Sequence, residues 1–241
     1  MKLFTIPNLL TLGNLFCGCL AILFLTGQFG GDIGSVSVAV LILLCTSLFF
    51  DLLDGMVARA LKINSEIGVQ LDSLADMVSF GVVPGIIMYQ LIDDSSINNH
   101  DMPYGKFIGL LIILFSALRL AKFNVDNEQS TYFKGLNTPA NTILIFSLFW
   151  IKLQEGYLIN SYIDKLILIG ITILSCWLLI SNIPIFSFKF KGFAWKDNHY
   201  KYVFLIISII LLALFQITTL PFIILLYILI SIIFRKKIIH A

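Results

Sequence analysis

The sequence contains few charged residues. Lysine, arginine, aspartate and glutamate make up only 12% of its 241 residues, whereas hydrophobic residues make up 59% and the mean hydropathy is +0.96. Soluble domains carry about 25% charged residues, so this chain has too few charges to cover a water-facing surface. The composition excludes a soluble enzyme, a disordered segment and a small disulfide-stabilised scaffold. A membrane protein with several spans remains.

Cysteine, histidine and net charge are also scarce. The four cysteines all lie in apolar runs, which predicts small packing residues and not metal ligands or disulfide partners. The three histidines lie in predicted loops or at the terminus, so we assign none of them a catalytic role. The net charge of +2 predicts no attraction to nucleic acid.

Apolar runs long enough to cross a bilayer recur along the whole chain. A membrane helix needs about 20 mostly apolar residues. Eight such runs are present, at residues 8–29, 36–60, 70–92, 106–124, 138–154, 163–182, 201–218 and 220–235. The sequence therefore predicts an all-α integral membrane protein with about eight transmembrane helices.

Lysine and arginine are distributed unevenly between the predicted loops. If the N-terminus lies inside, thirteen of the 16 basic residues fall on the inner side and three on the outer side. Because positive charge gathers on the cytoplasmic side of membrane proteins, we expect both termini in the cytoplasm. A basic, aromatic loop at about residues 183–200 is expected to lie at the membrane interface.

Acidic residues gather at one place in this apolar chain. Four aspartates lie within 26 residues and adjoin apolar helix, where ionisable groups mark functional sites. Asp51 and Asp54 are three residues apart and share one helix arc with Gly55 and Ala58. Carboxylates hold a cation, and residues with almost no side chain let a bulky group approach the backbone.

The next predicted helix carries a matching ridge. Gly68, Asp72 and Asp76 follow one another at intervals of four residues, so two antiparallel helices bring all four carboxylates to one site near the cytoplasmic interface. Such a cluster repels itself unless cations neutralise it, and all-oxygen ligation suits Mg²⁺ or Mn²⁺. Four acids can hold two ions, the usual arrangement for phosphoryl displacement. Arg59 adds a fixed positive charge for a phosphate.

The same residues form a family motif. The run Asp51-x2-Asp54-Gly55-x2-Ala58-Arg59-x8-Gly68-x3-Asp72-x3-Asp76 resembles the signature of the CDP-alcohol phosphatidyltransferases. Residues 6–18, 117–124 and 133–140 resemble the phosphatidylserine synthases, a membrane-integral branch of that family. Two positions depart from the branch, because arginine is commoner than lysine at Lys122 and proline is commoner than asparagine at Asn137.

The resemblance implies both an architecture and an activity. It implies a catalytic core of six helices within residues 1–185, with the interfacial loop and two further helices in residues 186–241. It also implies transfer of a phosphatidyl group from CDP-diacylglycerol to the hydroxyl of L-serine, with release of CMP. We therefore expect these two substrates, membrane lipids and a second copy of the chain as partners. The active site would face the cytoplasm from the cell membrane.

The resemblance also implies roles for individual residues. Two Mg²⁺ or Mn²⁺ ions would be held by four aspartates, Asp51, Asp54, Asp72 and Asp76. Asp76 would in addition be the general base that takes the proton of the serine hydroxyl. The CDP-lipid would contact Asn8, Thr11, Gly55, Ala58, Arg59 and Gly68. Serine would contact Arg119 and Lys122, with Arg119 facing its carboxylate.

Alternatives stay open at this stage. Asn8 also suits a helix cap after Pro7, Arg59 suits a salt bridge, and basic residues such as Arg119 suit the positive-inside pattern. Transfer to glycerol 3-phosphate, inositol phosphate or choline is a second function, although a phosphorylated acceptor should require a larger basic cluster. Cation transport through the intramembrane acids is a third, and the sequence shows no internal repeat that would favour it.

Overall fold

The protein is mostly helical. The computed structural model describes residues 3–63, 65–94, 104–126, 132–155, 162–187 and 195–239. Within these residues the chain forms ten α-helices, namely α1 (Ile6–Leu25), α2 (Ile33–Ala60), α3 (Glu66–Met77), α4 (Val83–Asp94), α5 (Leu111–Val125), α6 (Thr138–Glu155), α7 (Tyr162–Ile180), α8 (Trp195–Phe215), α9 (Leu220–Ile233) and α10 (Arg235–Ile239). A 3₁₀ segment, Gly105–Leu110, precedes α5.

Five helical stretches of the described chain are long and apolar enough to cross a membrane. They are Ile6–Leu25, Gly34–Ala60, Glu66–Asp93, Gly105–Val125 and Asn198–Ile233. The predicted helical class is therefore confirmed. Helices α6 and α7 coincide with two predicted spans but are not among these five stretches. The count of eight spans and the orientation of the termini stay predictions.

The last of these stretches folds back on itself. A 3₁₀ turn at Gln216–Thr219 separates α8 from α9. The ring of Tyr200 near the start of α8 stacks on Phe234 after the end of α9, with 5.5 Å between their centroids. Phe204, one turn further along α8, meets Tyr227 of α9 at 5.6 Å. The two helices therefore run antiparallel, as two separate C-terminal helices would.

A π-helical turn at Val78–Val82 joins α3 to α4 in one continuous stretch. Pro84 has no N–H and cannot donate to the carbonyl of Phe80, four residues earlier. The hydroxyl of Thr142 in α6 donates to that carbonyl instead, at 3.1 Å. This wide turn, of a kind frequent at functional sites, follows directly on the helix that carries Asp72 and Asp76.

Helix α1 packs tightly against the π-helical turn. A methyl group on the Cα of Gly18 would lie 2.5 Å from Oγ of Ser79 and 3.0 Å from its Cα. Only glycine therefore allows this approach without a shift of the backbone. The contact brings the polar face of α1 against the acids of α3, as the site below requires.

Two short strands, which the sequence did not predict, accompany the helices. β1 (Tyr132–Lys134) and β2 (Pro184–Phe186) pair in antiparallel register between the α5–α6 and α7–α8 links. Three residues are too few to leave an alternating apolar pattern, which explains why the sequence does not reveal them. Part of the predicted interfacial loop, residues 188–194, lies outside the described residues.

The apolar interior has two parts. The first lies between the N-terminal helices and α4, α6 and α7, and includes the fully buried Ile87 and Ile145. The second surrounds Phe186 of β2, whose ring meets three other aromatic rings edge-on at 4.7 to 5.6 Å, those of Tyr200, Phe204 and Tyr227. The C-terminal helices are thus anchored to the rest of the protein through the small sheet.

Candidate active site

Three aspartates from two helices meet between α2 and α3. One carboxylate oxygen from each of Asp51, Asp72 and Asp76 lies within 4.8 Å of the others. Asp51 comes from α2, whereas the other two lie one turn apart on α3. Oδ1 of Asp72 is buried and has no hydrogen-bond partner among the described residues. We refer to these three residues as the aspartate cluster.

Asp54 lies beside the aspartate cluster and not within it. Its side chain is only 7% exposed, and its Oδ2 accepts a hydrogen bond from the hydroxyl of Thr11 in α1 at 2.5 Å. Its charge still acts on Asp51 and Asp72. The sequence predicts all four carboxylates at one point, whereas the structure has a group of three with the fourth held to α1.

Asn14 of α1 fixes one member of the cluster. Its Nδ2 donates to Oδ1 of Asp76 at 3.2 Å. Its own side-chain oxygen accepts a hydrogen bond from Ser47 of α2, and its backbone carbonyl accepts one from Ser79 at 3.1 Å. The fully buried Asn14 therefore joins α1, α2 and the π-helical turn around the carboxylate of Asp76.

Sequence reasoning assigned no role to Asn14, although a signal was present. Asn8, Thr11 and Asn14 recur every three residues on an otherwise apolar helix, and Gly18 continues the same face. All four are buried in the protein. A polar stripe inside a membrane helix requires partners. Here Thr11 and Asn14 donate to acids, Asp54 and Asp76, whereas the amide of Asn8 donates to the carbonyl of Leu3 at 2.8 Å.

A cavity of about 550 Å³ opens beside the acids, within the size range of small-molecule sites. Asp54 and Asp72 line it, so carboxylates face its interior. It is also lined by five of the six residues predicted to contact the CDP-lipid, namely Asn8, Thr11, Gly55, Ala58 and Gly68. The link between α2 and α3 adds Ile63 and Ser65, and the first residue of α3 adds Glu66; the sequence did not single out these three.

Arg59, the sixth predicted residue, lies beside this cavity without lining it. Its side chain is exposed at the end of α2. A methyl group on Gly55, which does line the cavity, would lie 3.4 Å from Nη1 of Arg59. The part of the chain that the structure describes contains no salt bridge to this guanidinium. The charge therefore remains available next to the cavity.

Arg119 is a buried cation whose charge acts on the aspartate cluster. It is 7% exposed in α5, with its guanidinium carbon 5.4 Å from the ring centre of Phe123. Its charge interacts with that of Asp76. Within the described residues no salt bridge engages it. Arg119 is thus buried, charged and within electrostatic range of the aspartate cluster.

Lys122 has a different environment one turn further along α5. Its ammonium donates to the carbonyl of Ile180 at 3.1 Å and to Oδ1 of Asn182 at 2.8 Å. These bonds satisfy the C-terminal end of α7. The two residues predicted to bind serine are therefore separated, with Arg119 near the acids and Lys122 at α7.

The donor set fits a hard divalent cation. Three carboxylate oxygens within 4.8 Å form an all-oxygen group of the kind that Mg²⁺ and Mn²⁺ prefer. Like charges this close repel each other strongly, and the unpartnered oxygen of Asp72 lacks any protein donor in the described chain. A bound cation would satisfy both requirements.

Comparisons with known proteins give relatives that share one name. The chain is 31% identical over 189 residues to the CDP-diacylglycerol–serine O-phosphatidyltransferase of Helicobacter pylori strain J99, which covers 78% of this chain and 74% of that protein. It is 36% identical over 174 residues to the enzyme of the same name from Methanocaldococcus jannaschii, covering 72% of this chain and 73% of that one. The corresponding Bacillus subtilis protein is 36% identical over 135 residues, 56% of this chain and 69% of the relative.

A family model matches most of the chain as well. It is described as CDP-alcohol phosphatidyltransferase and matches residues 4–181. This segment contains all four aspartates and every residue that lines the cavity beside them. The chain belongs to the CDP-alcohol phosphatidyltransferase family.

Proposed function

We propose that the protein transfers the phosphatidyl group of CDP-diacylglycerol to the hydroxyl of L-serine and releases CMP. The observation that carries this proposal is the aspartate cluster at the edge of a 550 Å³ cavity in a membrane-spanning bundle. The relatives' shared name supports serine as the acceptor, and membership of the family supports CDP-linked lipid as the donor.

The cavity supplies the site for the cytidine and diphosphate. Gly55, Ala58 and Gly68 have almost no side chain, so a flat base can approach the helix backbones. The amide of Asn8 lies beside Gly68, since a methyl group there would be 3.3 Å from Oδ1 of Asn8. Arg59 beside the cavity contributes positive charge for the diphosphate.

The acids would hold the divalent cations on which the family generally depends. Asp51, Asp72 and Asp76 would hold one Mg²⁺ or Mn²⁺, and Asp54 together with Asp72 would take part in holding a second. When bound, such ions offset the charge of the diphosphate and of the departing CMP. Thr11 keeps the carboxylate of Asp54 in place through its 2.5 Å hydrogen bond.

Asp76 would act as the general base. The serine hydroxyl gives its proton to this carboxylate while its oxygen bonds to the β-phosphorus of the CDP-lipid. The bond between that phosphorus and the bridging oxygen breaks, and CMP leaves with the electron pair. Asn14 fixes the rotation of the Asp76 carboxylate through the bond to Oδ1, which orients the group for proton transfer.

Arg119 would bind the carboxylate of serine. A guanidinium is always charged and donates two parallel hydrogen bonds to a carboxylate. Its burial near Asp76 would place the acceptor beside the base. Lys122, engaged with α7, would add positive potential at longer range. One buried arginine suits an acceptor with a single carboxylate better than a phosphorylated alcohol.

The arrangement of the helices supports an active site on the cytoplasmic side of the cell membrane. The start of α1 and the ends of α2, α5 and α7 share the end of the bundle that carries the acids. Arg59, Lys62 and Lys122 lie at this end, as the positive-inside rule requires of a cytoplasmic face. We further propose eight spans, a six-helix core within residues 1–185, both termini in the cytoplasm and a homodimer.

An acceptor panel tests the proposal. Purified full-length protein is incubated with CDP-diacylglycerol, Mg²⁺ and one of four acceptors, which are serine, glycerol 3-phosphate, inositol phosphate and choline. CMP release and the lipid product are measured. We expect turnover with serine alone. Turnover with glycerol 3-phosphate but not serine would contradict the acceptor, and ion flux in liposomes without CMP release would contradict the transfer reaction itself.

A further inference from the structure

A second cavity, of about 540 Å³, lies where the end of α7 meets α9 and α10. Its walls include Trp177 and Ile180 of α7, Ile232 of α9 and the first residue of α10, Arg235. It shares no lining residue with the cavity beside the acids. The proposed reaction therefore assigns it no role.

One side of this cavity is apolar and faces outward. Trp177 of α7 is 54% exposed, and Ile232 of α9 is 42% exposed. Apolar side chains on the outer face of such a bundle contact lipid acyl chains, and tryptophan is common at the level of the headgroups. The wall is therefore suited to a hydrocarbon chain entering from the bilayer.

The other side of the cavity carries positive charge. Arg235 lines it, is exposed, and has no salt bridge within the described residues. The ammonium of Lys122 lies against the same wall, because it donates to the carbonyl of Ile180 and to the side chain of Asn182, which both belong to the lining. An ammonium has three donors, so one remains after these two bonds.

Two carbonyls near the C-terminal end of α7 have donors within the protein. The carbonyl of Leu178 already accepts a hydrogen bond from the backbone N–H of Leu136 at 2.9 Å, and that of Ile180 accepts one from Lys122. Arg235 lines the cavity, and Lys122 lies behind the part of its wall that Ile180 and Asn182 form. An anion with an apolar tail complements both sides at once.

We propose that this cavity binds an anionic glycerophospholipid of the surrounding bilayer. The phosphate lies between Arg235 and Lys122, with the amide of Asn182 as a further donor or acceptor. An acyl chain follows Trp177 and Ile232 toward the hydrocarbon. Because the site is separate from the aspartate cluster, the bound lipid is a ligand and not the molecule that reacts.

Lipid titration of the full-length protein tests this site. Delipidated protein in detergent is titrated with phosphatidylglycerol or with phosphatidylcholine of the same acyl chains, and bound lipids are counted by native mass spectrometry. Each basic residue near a membrane surface contributes about a fivefold gain for anionic lipid. We expect the first lipid to bind with a preference for phosphatidylglycerol of about that size or more, and Arg235→Gln to abolish most of it.

Lys236→Gln is the matched control, since it removes the same charge from the next residue, which does not line the cavity. It should keep the preference. Asn182→Asp should weaken the preference for phosphatidylglycerol, as Arg235→Gln does. The new negative charge faces the cavity, whereas the bond from Lys122 is kept. Size-exclusion profiles verify that each variant is folded.

Three outcomes would overturn the proposal. They are a wild-type protein without preference, equal losses in Arg235→Gln and Lys236→Gln, and an Asn182→Asp variant that binds phosphatidylglycerol normally. None of these readouts uses turnover, so a failure here is distinguishable from a failure of the serine transfer reaction.

Discussion

The aspartate cluster and helix α9 bury polar groups in opposite ways. In α9, the hydroxyl of Tyr227 donates to the carbonyl of Phe186 at 2.7 Å, and the hydroxyl of Ser231 donates to the carbonyl of Tyr227 at 2.7 Å. In the cluster, by contrast, like charges face each other and an oxygen of Asp72 has no partner in the described chain. Satisfied polar groups stabilise a fold, whereas carboxylates that face each other without a counter-charge mark a place where a cation completes the structure.

The family model matches the region of the aspartate cluster but not the C-terminal helices. It covers residues 4–181, which include the cluster and its cavity, and it ends before α8 begins. We therefore expect substitutions in the first region to change chemistry with little effect on stability, and substitutions in the second to do the reverse.

The largest effect is expected at the proposed base. Asp76→Asn keeps the shape of the side chain but cannot accept the serine proton, so turnover should fall about 10²- to 10⁴-fold while CDP-lipid binding persists. CMP release and equilibrium binding measure the two quantities. Asp93→Asn is the control, because Asp93 pairs with Lys106 at 3.1 Å at the far end of α4. Near-normal CMP release by Asp76→Asn would contradict the assignment.

A smaller effect is expected on metal dependence. Asp54→Ala should raise the Mg²⁺ concentration for half-maximal activity by about tenfold or more. Thr11→Val removes the hydroxyl that holds Asp54 and should act in the same direction, whereas Thr11→Ser keeps that hydroxyl and should stay near the wild type. An unchanged Mg²⁺ titration for Asp54→Ala would remove it from the ligand set.

The next effect concerns the acceptor alone. Arg119→Lys keeps the charge but loses the two-pronged geometry, so the KM for serine should rise about tenfold while the KM for CDP-diacylglycerol changes less than about twofold. Steady-state kinetics with each substrate varied in turn separate the two. An equal rise in both constants would mean that Arg119 has a general structural role.

The smallest effect on activity is expected in the C-terminal region. Tyr227→Phe removes the hydrogen bond to Phe186 and should lower the free energy of unfolding by about 1 kcal/mol. Thermal unfolding in detergent measures this change, and kcat should stay within about twofold. A clear rise in the KM for serine would contradict the division between the two regions.

The acids could be predicted from the sequence because helix geometry fixes their relative positions. A spacing of four residues places Asp72 and Asp76 on one ridge whatever the surroundings. The separation of Asp54 from the cluster could not be predicted in this way. It goes with the hydrogen bond from Thr11, and these two residues are 43 positions apart in the chain.

Backbone irregularities were equally hidden from the sequence. The π-helical turn at Val78–Val82 needs the hydroxyl of Thr142 to complete it, 62 residues after Phe80, whose carbonyl it contacts. Strands β1 and β2 are too short to show a period, and only their mutual pairing forms them. The role of Asn14 also depends on partners in two other elements.

The most direct test of the account is to locate manganese in the protein. Crystals grown with Mn²⁺ and CDP would be measured at the manganese absorption edge. The account predicts an anomalous peak about 2.1 Å from carboxylate oxygens of Asp51, Asp72 and Asp76, with the nucleotide in the adjacent cavity. Nucleotide bound there with no peak among these three residues would contradict it.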